Sequence, residues 1–373
     1  MIYQIKNIFL LLFLLVPFTL ITGPAVPDLT ITFGCLFGIL WLFIKEKRFE
    51  LLENNFFRMS LLFWFSIIFI SFFAINKEKS FIDSIIFLRF LLIPICCYFL
   101  FFREKNIFVI LLIVILILVI LVSLDTIYQF FNYTSKDGFG RDLLGFKSNW
   151  YGRLTGPFGD ELIPGSYVSK FGLLGFVYFI INNRFKNKMI LQSLYLALVL
   201  VVCFASGERM AFATYLLGLL LLLFFLKQRR ITILISIILG FLSIFLIYKL
   251  HPFYNDFEVI ESKEYHQGLK IEKQYKCEDD DGVCSKIINI QPSFLKIIKN
   301  FPTSAYGEIY KLSFKMFRDN PITGVGISNF THLCLSDKNY KNIMINYDCA
   351  SHPHNIYIQW LAEGGVISFS FFV

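Results

Sequence analysis

Long apolar runs separated by short polar turns make up most of the chain. A helix that crosses the hydrocarbon core of a bilayer needs roughly 20 mostly apolar residues. About ten runs approach this length, at residues 8–21, 29–44, 56–74, 81–102, 107–124, 163–181, 190–205, 211–226, 231–250 and 356–373. The pattern therefore predicts an all-α integral membrane protein with about ten transmembrane helices.

The composition indicates that lipid is the main solvent of this chain. Of the 373 residues, 56% are hydrophobic and only 17% are charged, whereas soluble domains carry about 25% charged residues. The formal net charge of +8 does not indicate nucleic-acid binding, because the basic residues are scattered at the ends of apolar runs and form no patch. We expect membrane lipids, and no nucleic acid, as partners.

The distribution of lysine and arginine predicts the orientation in the membrane. Cytoplasmic loops carry an excess of these residues. One alternate set of loops, with Lys6, Lys45 and Arg184 among its members, holds nearly twice as many as the other set. We therefore predict an inner-membrane protein with a cytoplasmic N-terminus. Residues 1–250 would form the first nine helices and residues 354–373 the tenth.

The one long polar stretch, residues 251–353, is expected to lie outside as a large periplasmic loop domain. A loop of this length is usually functional rather than a passive connection. Apolar residues recur at helical spacing within residues 309–317, and Asp319-Asn320-Pro321 would end that helix. The chain stops inside an apolar run, so we also expect it to be a C-terminally truncated form of a protein with about twelve transmembrane helices.

Four cysteines lie in this loop, where disulfides persist if the loop is periplasmic. Among the three possible connectivities, we favour Cys277 with Cys284 and Cys334 with Cys349. A zinc site is the alternative, but the loop has no C-x-x-C spacing and a histidine would have to complete the ligand set. The sequence therefore predicts two disulfides and no metal.

The most informative cluster is Ser351-His352-Pro353-His354-Asn355, where the loop meets the predicted tenth helix. Histidines at a helix start can take up a proton near neutral pH. We therefore assign His354 as the candidate catalytic base and Asn355 as a candidate substrate ligand. The alternative is that His352 and Asn355 merely cap the helix beside Pro353, and for His352 we favour capping.

Arg209 lies in a short Ser-Gly-Glu-Arg turn between two apolar runs, so its guanidinium must be at or inside the membrane boundary. A charge there is costly and usually functional, and the planar guanidinium suits phosphate oxygens. The alternatives are an ion pair with Glu208 or an extended side chain that reaches the headgroups. Two other charges lie in or at the spans: Arg89 needs a partner that the sequence does not identify, and Asp125 is expected to cap the end of the fifth helix.

A glycine-rich stretch at residues 153–161 leads into the sixth predicted span. Glycines let a backbone approach a bulky ligand closely, so Arg153 and Glu161 are candidate substrate ligands. A turn-rich loop would explain the glycines equally well. Arg318, at the end of the predicted loop helix, is a further candidate ligand.

These motifs resemble the O-antigen ligase and O-antigen polymerase superfamily of bacterial inner-membrane glycosyltransferases. The most specific resemblance is the His-Asn pair at 354–355, followed after nine residues by Gly-Val-Ile-Ser at 365–368. Ser368 stands where the family usually has Gly, Thr or Tyr. The stretch 319–330 is similar to the family's segment ending in Pro-x-x-Gly-x-Gly-x-x-x-Phe. The Ser-Gly-Glu-Arg turn and the stretch 153–161 match more loosely, and an arginine that many relatives carry before the loop helix is missing.

The resemblance implies transfer of a glycan from an undecaprenyl-pyrophosphate carrier on the periplasmic face, without a cofactor. In the family the acceptor is the lipid A core, another glycan or a protein. The catalytic histidine of the family corresponds to His354, and its pyrophosphate-contacting arginine corresponds best to Arg209.

Of these activities we favour O-antigen ligation to the lipid A core, with a growing glycan as the other candidate acceptor. A polymerase or a protein O-oligosaccharyltransferase of the same superfamily is the alternative. A lipid-linked sugar transporter or flippase is more distant, because the charges gather at the outer boundary instead of near the bilayer midplane. A non-catalytic scaffold would leave Arg209 and His354 unexplained.

Overall fold

The computed structural model describes residues 2–44, 48–103, 105–134, 138–148, 152–182, 188–255, 258–261, 274–277, 284–290, 299–345 and 347–373. These residues are mostly helical. In chain order, the first helices are α1 (Ile2–Thr19), α2 (Ala25–Ile44), α3 (Arg48–Glu53), α4 (Asn55–Ser71), α5 (Lys77–Arg103), α6 (Lys105–Phe131), α7 (Pro164–Ile181), α8 (Lys188–Ala205), α9 (Arg209–Phe225) and α10 (Arg230–Leu250). They are followed by α11 (Pro252–Asn255), α12 (Ala305–Asp319), α13 (Phe330–Ser336), α14 (Lys338–Lys341) and α15 (Ile356–Phe372).

Short strands accompany the helices in two places. Strands β1 (Tyr133–Thr134) and β2 (Gly138–Phe139) form an antiparallel pair after α6. Strands β3 (Glu258–Glu261), β4 (Gln274–Cys277) and β5 (Cys284–Ile290) form a three-stranded sheet in the order β3-β5-β4. The strands are small additions, so the protein is an all-α protein.

Six described helices are long and apolar enough to cross a membrane: Ala25–Ile44, Lys77–Phe99, Asn106–Phe131, Pro164–Ile181, Lys188–Ala205 and Lys227–Leu250. Three shorter apolar helices are Tyr3–Thr19, Asn55–Ser71 and Arg209–Phe225. The tenth predicted run coincides with α15, which has 17 residues. The protein is thus a multi-pass membrane protein by the length and composition of its helices, and the number of ten spans stays a prediction.

Helices α6 to α10 surround the largest apolar core. The hydroxyl of Tyr195 on α8 donates to the carbonyl of Gly172 on α7 at 3.0 Å, and the fully buried Tyr215 on α9 donates to the carbonyl of Leu196 at 3.2 Å. In lipid, close packing and interhelical hydrogen bonds hold helices together. Tyr167 extends this network to α1, because its hydroxyl donates to the carbonyl of Pro17 at 2.8 Å.

Arg89 has a partner inside the helical region. Its Nη2 lies 2.9 Å from Oδ2 of Asp28, and its Nη1 donates to the hydroxyl of Thr32 at 3.2 Å. Asp28 and Thr32 are one turn apart on α2, whereas Arg89 is on α5. The charge on α5 is therefore neutralised by a carboxylate on a neighbouring helix, as expected for a charge in a membrane protein.

The predicted role of Asp125 as a helix cap is wrong. Helix α6 continues through Asp125 to Phe131, and the buried Asp125 accepts a hydrogen bond from the amide of Leu143 at 2.8 Å. Because the carboxylate bonds to a loop that folds back over α6, the helix can continue past it. The apolar run ends at Leu124, but the helix does not.

The C-terminal region has a core of its own. Helices α12, α13 and α14 pack together with α15 around side chains such as Leu312, Met316, Phe330 and Ala362. Helix α15 also packs on α4, where the rings of Trp360 and Phe63 are 4.8 Å apart. The apolar spacing at residues 309–317 lies within α12, which begins at the N-cap Ser304 and ends at Asn320. This region holds the histidine segment.

Candidate functional site

Asn355 begins helix α15 and so fixes the chain just after the histidines. Its Oδ1 accepts hydrogen bonds from the amides of Tyr357 at 3.0 Å and Ile358 at 3.2 Å, as an N-cap residue does. His352 has a different role: its Nδ1 lies 2.9 Å from the hydroxyl of Ser351. Asn355 therefore has the capping role that was considered for it, and its binding of substrate stays a prediction.

His354 has a backbone conformation that few residues other than glycine adopt. Its φ is 56°, in the left-handed region. Such a conformation costs on the order of 1 kcal/mol or more and persists where the surroundings impose it, often at functional sites. Here the buried Pro353 precedes the residue and the Asn355 cap follows it. The left-handed turn thus decides where the imidazole points.

Two rings lie against the imidazole of His354. The His352 ring is 4.2 Å away between centroids and tilted by 51°, and the Tyr306 ring is 5.8 Å away in an edge-to-face arrangement. Tyr306 belongs to the first turn of α12, so this helix contributes directly to the surroundings of His354. Tyr306 could not be singled out from the sequence, because only the three-dimensional packing of α12 brings its ring to His354.

These surroundings favour the neutral form of the imidazole. His354 remains accessible to solvent, but partial burial lowers its pKa below the usual value, and the adjacent His352 lowers the pKa further. Desolvation disfavours the charged form of an imidazole, as does a second group that can carry positive charge. A neutral imidazole can accept a proton, which is the property that a general base requires.

Helix α15 is interrupted, and residues 321–326 complete its hydrogen bonds. Gly365 has φ 58° and ψ −166°, so the regular helix breaks there. The amide of Val366 donates to the carbonyl of Pro321 at 2.9 Å, and the amide of Gly326 donates to the carbonyl of Glu363 at 2.9 Å. A side chain at position 365 would overlap the carbonyl of Ile322. The glycine is therefore required both for the break and for the close approach.

The same loop also contacts the turn between α4 and α5. The amide of Asn76 donates to Oδ1 of Asn329 at 2.8 Å, and the amide of Ile75 donates to the carbonyl of Val325 at 3.4 Å. Asn329 is completely buried. The loop from Pro321 to Phe330 thus joins the C-terminal region to the N-terminal helices.

A disulfide and a threonine hold the segment that leads to the histidines in place. Cys334 on α13 is bonded to Cys349, the second of the two predicted pairs. Thr331, on the same helix, donates its hydroxyl to the carbonyls of Ala350 at 3.1 Å and Ser351 at 2.7 Å. Helix α13 therefore fixes the position of residues 349–351. Cys277 and Cys284 pair in the backbone register of β4 and β5, and the predicted bond between their side chains lies outside the described part of the chain.

The loop with Arg153 and the turn with Arg209 lie side by side. The amide of Leu154 donates to the carbonyl of Ser206 at 3.1 Å. Gly207, with φ 75°, lies so close to Gly152 and Arg153 that a side chain at 207 would overlap the Gly152 carbonyl. Two segments that are separate in the sequence thus form one surface.

Polar side chains fix this surface to the helices. Oε1 of Gln129 on α6 accepts hydrogen bonds from the amides of Thr155 at 3.1 Å and Gly156 at 2.9 Å. The carboxylate of Glu208 accepts hydrogen bonds from both the amide and the hydroxyl of Ser166, at 3.2 and 2.5 Å. Glu208 therefore bonds to the start of α7, which is a different role from the ion pair with Arg209 that was considered as an alternative.

Arg153 is half-buried and has hydrogen-bonding capacity left over. Its Nη2 donates to the carbonyl of Leu162 at 2.8 Å, whereas its Nε is buried without a hydrogen-bond partner. Buried donors are normally satisfied. Arg209 is exposed at the first position of α9, and Glu161 is exposed as well.

Arg318 lies at the far end of the helix that carries Tyr306. The exposed residue is in the last turn of α12, about 18 Å along the helix axis from Tyr306 at 1.5 Å per residue. The binding roles of Arg153, Glu161 and Arg318 stay predictions. So does the shared pocket of His354 with Arg209.

Two buried residues that were not singled out in the sequence, Asn329 and Glu363, accept hydrogen bonds that hold the site together. A signal for Glu363 was present in the sequence, because it is the one charged residue within the apolar run 356–373. Such a charge is expensive in a membrane helix and usually has a specific partner. Asn329 lies inside the motif at 319–330, but nothing in its local sequence indicated a bond to Asn76.

Among the residues that the structure describes, no group of three or more histidine, cysteine, aspartate or glutamate side chains could hold a metal ion. Cys334 and Cys349 are bonded to each other, so they do not act as zinc ligands in this form of the protein.

Comparison with known proteins finds one similarity, in the C-terminal part of the chain. No curated protein matches the sequence. The sequence model of a family described as O-antigen ligase matches residues 194–373. This range contains Arg209, the loop from Pro321 to Phe330, and the His-Asn pair with the glycines that follow it. Over this range, slightly less than half of the chain, the sequence is similar to the O-antigen ligase family.

Proposed function

We propose that this protein transfers a glycan from an undecaprenyl-pyrophosphate carrier to the lipid A core on the periplasmic face of the bacterial inner membrane. The family match supports glycan transfer from a lipid-linked donor in general. His354 is the observation that carries the proposal, because a solvent-accessible imidazole with a lowered pKa is held in a left-handed turn beside two other rings.

In this proposal the chain crosses the membrane ten times. The N-terminus is cytoplasmic, residues 251–353 form the periplasmic loop domain, and α15 is the tenth span. The excess of lysine and arginine in one set of loops supports this orientation. The disulfide between Cys334 and Cys349 also supports it, because disulfides persist in the periplasm and are rare in the cytosol.

The reaction needs a base and a stabiliser of negative charge. Neutral His354 removes the proton from an acceptor hydroxyl as the hydroxyl oxygen attacks the anomeric carbon of the donor sugar. The bond between that carbon and the phosphate oxygen breaks, and undecaprenyl pyrophosphate leaves with the electron pair. Because a diphosphate is already a good leaving group, the enzyme does not need to activate it with a nucleotide.

Arginines supply the positive charge for the departing diphosphate. Arg209 is exposed at the start of α9, and the adjacent Arg153 has an unpartnered Nε. Cations near the membrane boundary, where the dielectric constant is lower than in water, stabilise the developing charge more strongly. The proposal requires that these guanidinium groups and His354 face one cavity.

Deletion of the gene, followed by analysis of surface polysaccharide and of lipid-linked glycan, tests this function. Loss of ligation leaves an unmodified lipid A core and glycan that accumulates on its carrier at the periplasmic face. A core that bears one repeat unit would instead indicate a polymerase. Accumulation of the carrier at the cytoplasmic face would indicate a flippase and would refute glycan transfer.

A further inference from the structure

Glu363 is buried in the middle of α15, yet it contacts residues on both sides of the histidine segment. Only 3% of the residue is exposed. Its Oε1 accepts a hydrogen bond from the amide of Phe330 at 3.1 Å, and its Oε2 accepts one from Nε2 of Gln359 at 3.2 Å. A buried carboxylate is normally held by several hydrogen bonds of this kind.

The first of these contacts leads to the histidines through α13. Phe330 is the first residue of α13, and Thr331 follows it. Thr331 donates its hydroxyl to the carbonyls of Ala350 and Ser351. Only two residues separate Ser351 from His354. A shift of Phe330 would therefore move the chain on the N-terminal side of the imidazole.

The second contact leads to the histidines through α15. The backbone amide of Gln359 donates to the backbone carbonyl of Asn355 at 2.9 Å, in the first turn of the helix. Asn355 is the N-cap and immediately follows His354. The carboxylate of Glu363 therefore connects the two chain segments that enter and leave the left-handed turn at His354.

The backbone of α15 does not by itself hold the start of α13. Because α15 breaks at Gly365, the carbonyls of Ala362 and Glu363 accept hydrogen bonds from the amides of Val325 and Gly326. The backbone thus fixes the first part of the loop from Pro321 to Phe330. The side chain of Glu363 fixes its end, where α13 begins.

We infer that Glu363 is a positioning residue for glycan transfer, which holds α13 and the start of α15 in the arrangement that aims the His354 imidazole at the acceptor hydroxyl. The inference rests on the proposed function. It assigns Glu363 no contact with substrate. Its effect should fall on turnover, because a displaced base loses alignment with the reacting hydroxyl while the binding surface for the donor is unchanged.

The test compares Glu363→Leu, Glu363→Gln and the exchanged pair Gln359→Glu/Glu363→Gln. Leucine keeps much of the volume but accepts no hydrogen bond. Glutamine keeps an oxygen for the amide of Phe330, and the exchanged pair also restores a donor and an acceptor between positions 359 and 363. Ser370→Ala, at an exposed site on the same helix, is the matched control.

Transfer is measured in membranes with extracted undecaprenyl-pyrophosphate-linked glycan and purified lipid A core, at several donor concentrations. Glu363→Leu should lower maximal turnover by about tenfold to a hundredfold, since a misplacement of about 1 Å can cost that much, with the KM for the donor changed by less than about twofold. The exchanged pair should recover most of the turnover. The acidic limb of the pH profile of Glu363→Leu should move to higher pH, as the imidazole leaves its partly buried place.

Thr331→Val provides a second variant in case Glu363→Leu does not accumulate in the membrane. It interrupts only the link between α13 and residues 350–351, and it should lower turnover with the same unchanged KM. Wild-type turnover in Thr331→Val, or an exchanged pair no better than Glu363→Leu, would overturn the positioning role. Absence of transfer by the wild type would instead refute the proposed function itself, so the two failures are distinguishable.

Discussion

The imidazole rings of His352 and His354 lie 4.2 Å apart, with their planes tilted by 51°. Partial burial and the adjacent His352 ring both lower the pKa of His354, because each disfavours the positively charged imidazolium. Because the left-handed turn places His354 against Tyr306 as well, the environment keeps His354 neutral and able to accept a proton.

Replacement of His354 by alanine should abolish glycan transfer while the protein remains in the membrane. A general base contributes about a hundredfold to ten-thousandfold to a rate, so the residual activity should be below about one hundredth of the wild type. Ligated lipid A core on gels measures the transfer, and immunoblots of membranes measure the amount of protein. His332→Ala, at an exposed histidine on α13, should behave as the wild type. Retained transfer in His354→Ala would refute the assignment of the base.

The rate of transfer should fall as the pH falls through the pKa of His354, because protonation removes the base. Partial burial and the neighbouring His352 both lower this pKa, so the wild type should stay active below the usual pKa of histidine, about 6.5. His352→Ala removes the second cause and opens the site to water. Its acidic limb should therefore lie at higher pH than that of the wild type. The measurement is the initial rate from pH 5 to 8, and a shift in the opposite direction would contradict the account.

The pattern of apolar runs was sufficient to predict where the long helices lie, because each run must be helical to satisfy its backbone in lipid. It was not sufficient for their ends. Helix α6 continues past Asp125 since a loop amide binds the carboxylate. The break in α15 at Gly365 could not be predicted from the apolar run either. The backbone groups around the break bond to a loop that lies about forty residues earlier in the chain.

The candidate site also has a part that could be predicted from the sequence and a part that could not. His354 and Arg209 are visible in the sequence, because titratable and charged groups at the edges of apolar runs have few structural explanations. The neighbours that define their environment are not visible. Tyr306 meets His354 only through the packing of α12, and Gly207 meets Arg153 only through a contact between two distant turns.

Arg209→Lys should be nearly as harmful as Arg209→Ala. Lysine keeps the charge but lacks the planar pair of donors that binds two phosphate oxygens at once, and loss of one such donor costs about a hundredfold or more in turnover. Transfer rates and the KM for lipid-linked glycan measure the effect. Arg230→Lys is the matched control, since Arg230 also begins an apolar helix but bonds to backbone carbonyls of Leu223 and Phe224. Equal activity of Arg209→Lys and the wild type would count against the phosphate-binding role.

Gly207→Ala should separate the Arg153 loop from the Arg209 turn. The backbone at 207 is left-handed, and a Cβ there would overlap the carbonyl of Gly152, so the cost should exceed the ~1 kcal/mol typical of alanine at such a conformation. Transfer should be lost, and limited proteolysis should cut near residues 152–162 faster than in the wild type. Gly145→Ala is the control, because Gly145 has φ 95° but open space around its Cβ position. If both variants behave alike, backbone strain alone explains the effect and the contact between the two segments is unimportant.

Removal of the disulfide between Cys334 and Cys349 should loosen the segment that leads to His354. The two cysteines are 15 residues apart, and a closed loop of that size contributes about 3 kcal/mol in the chain-entropy treatment. Cys334→Ser/Cys349→Ser should therefore lower transfer and make residues 337–349 more sensitive to protease. Cys203→Ser, at a buried free cysteine in α8, tests whether any loss follows from the disulfide instead of from cysteine replacement in general. Because Thr331 still bonds to the carbonyls of Ala350 and Ser351, the double variant should keep part of its activity, and Thr331→Val added to it should remove the remainder. Full activity of the triple variant would show that α13 does not hold the histidine segment in place.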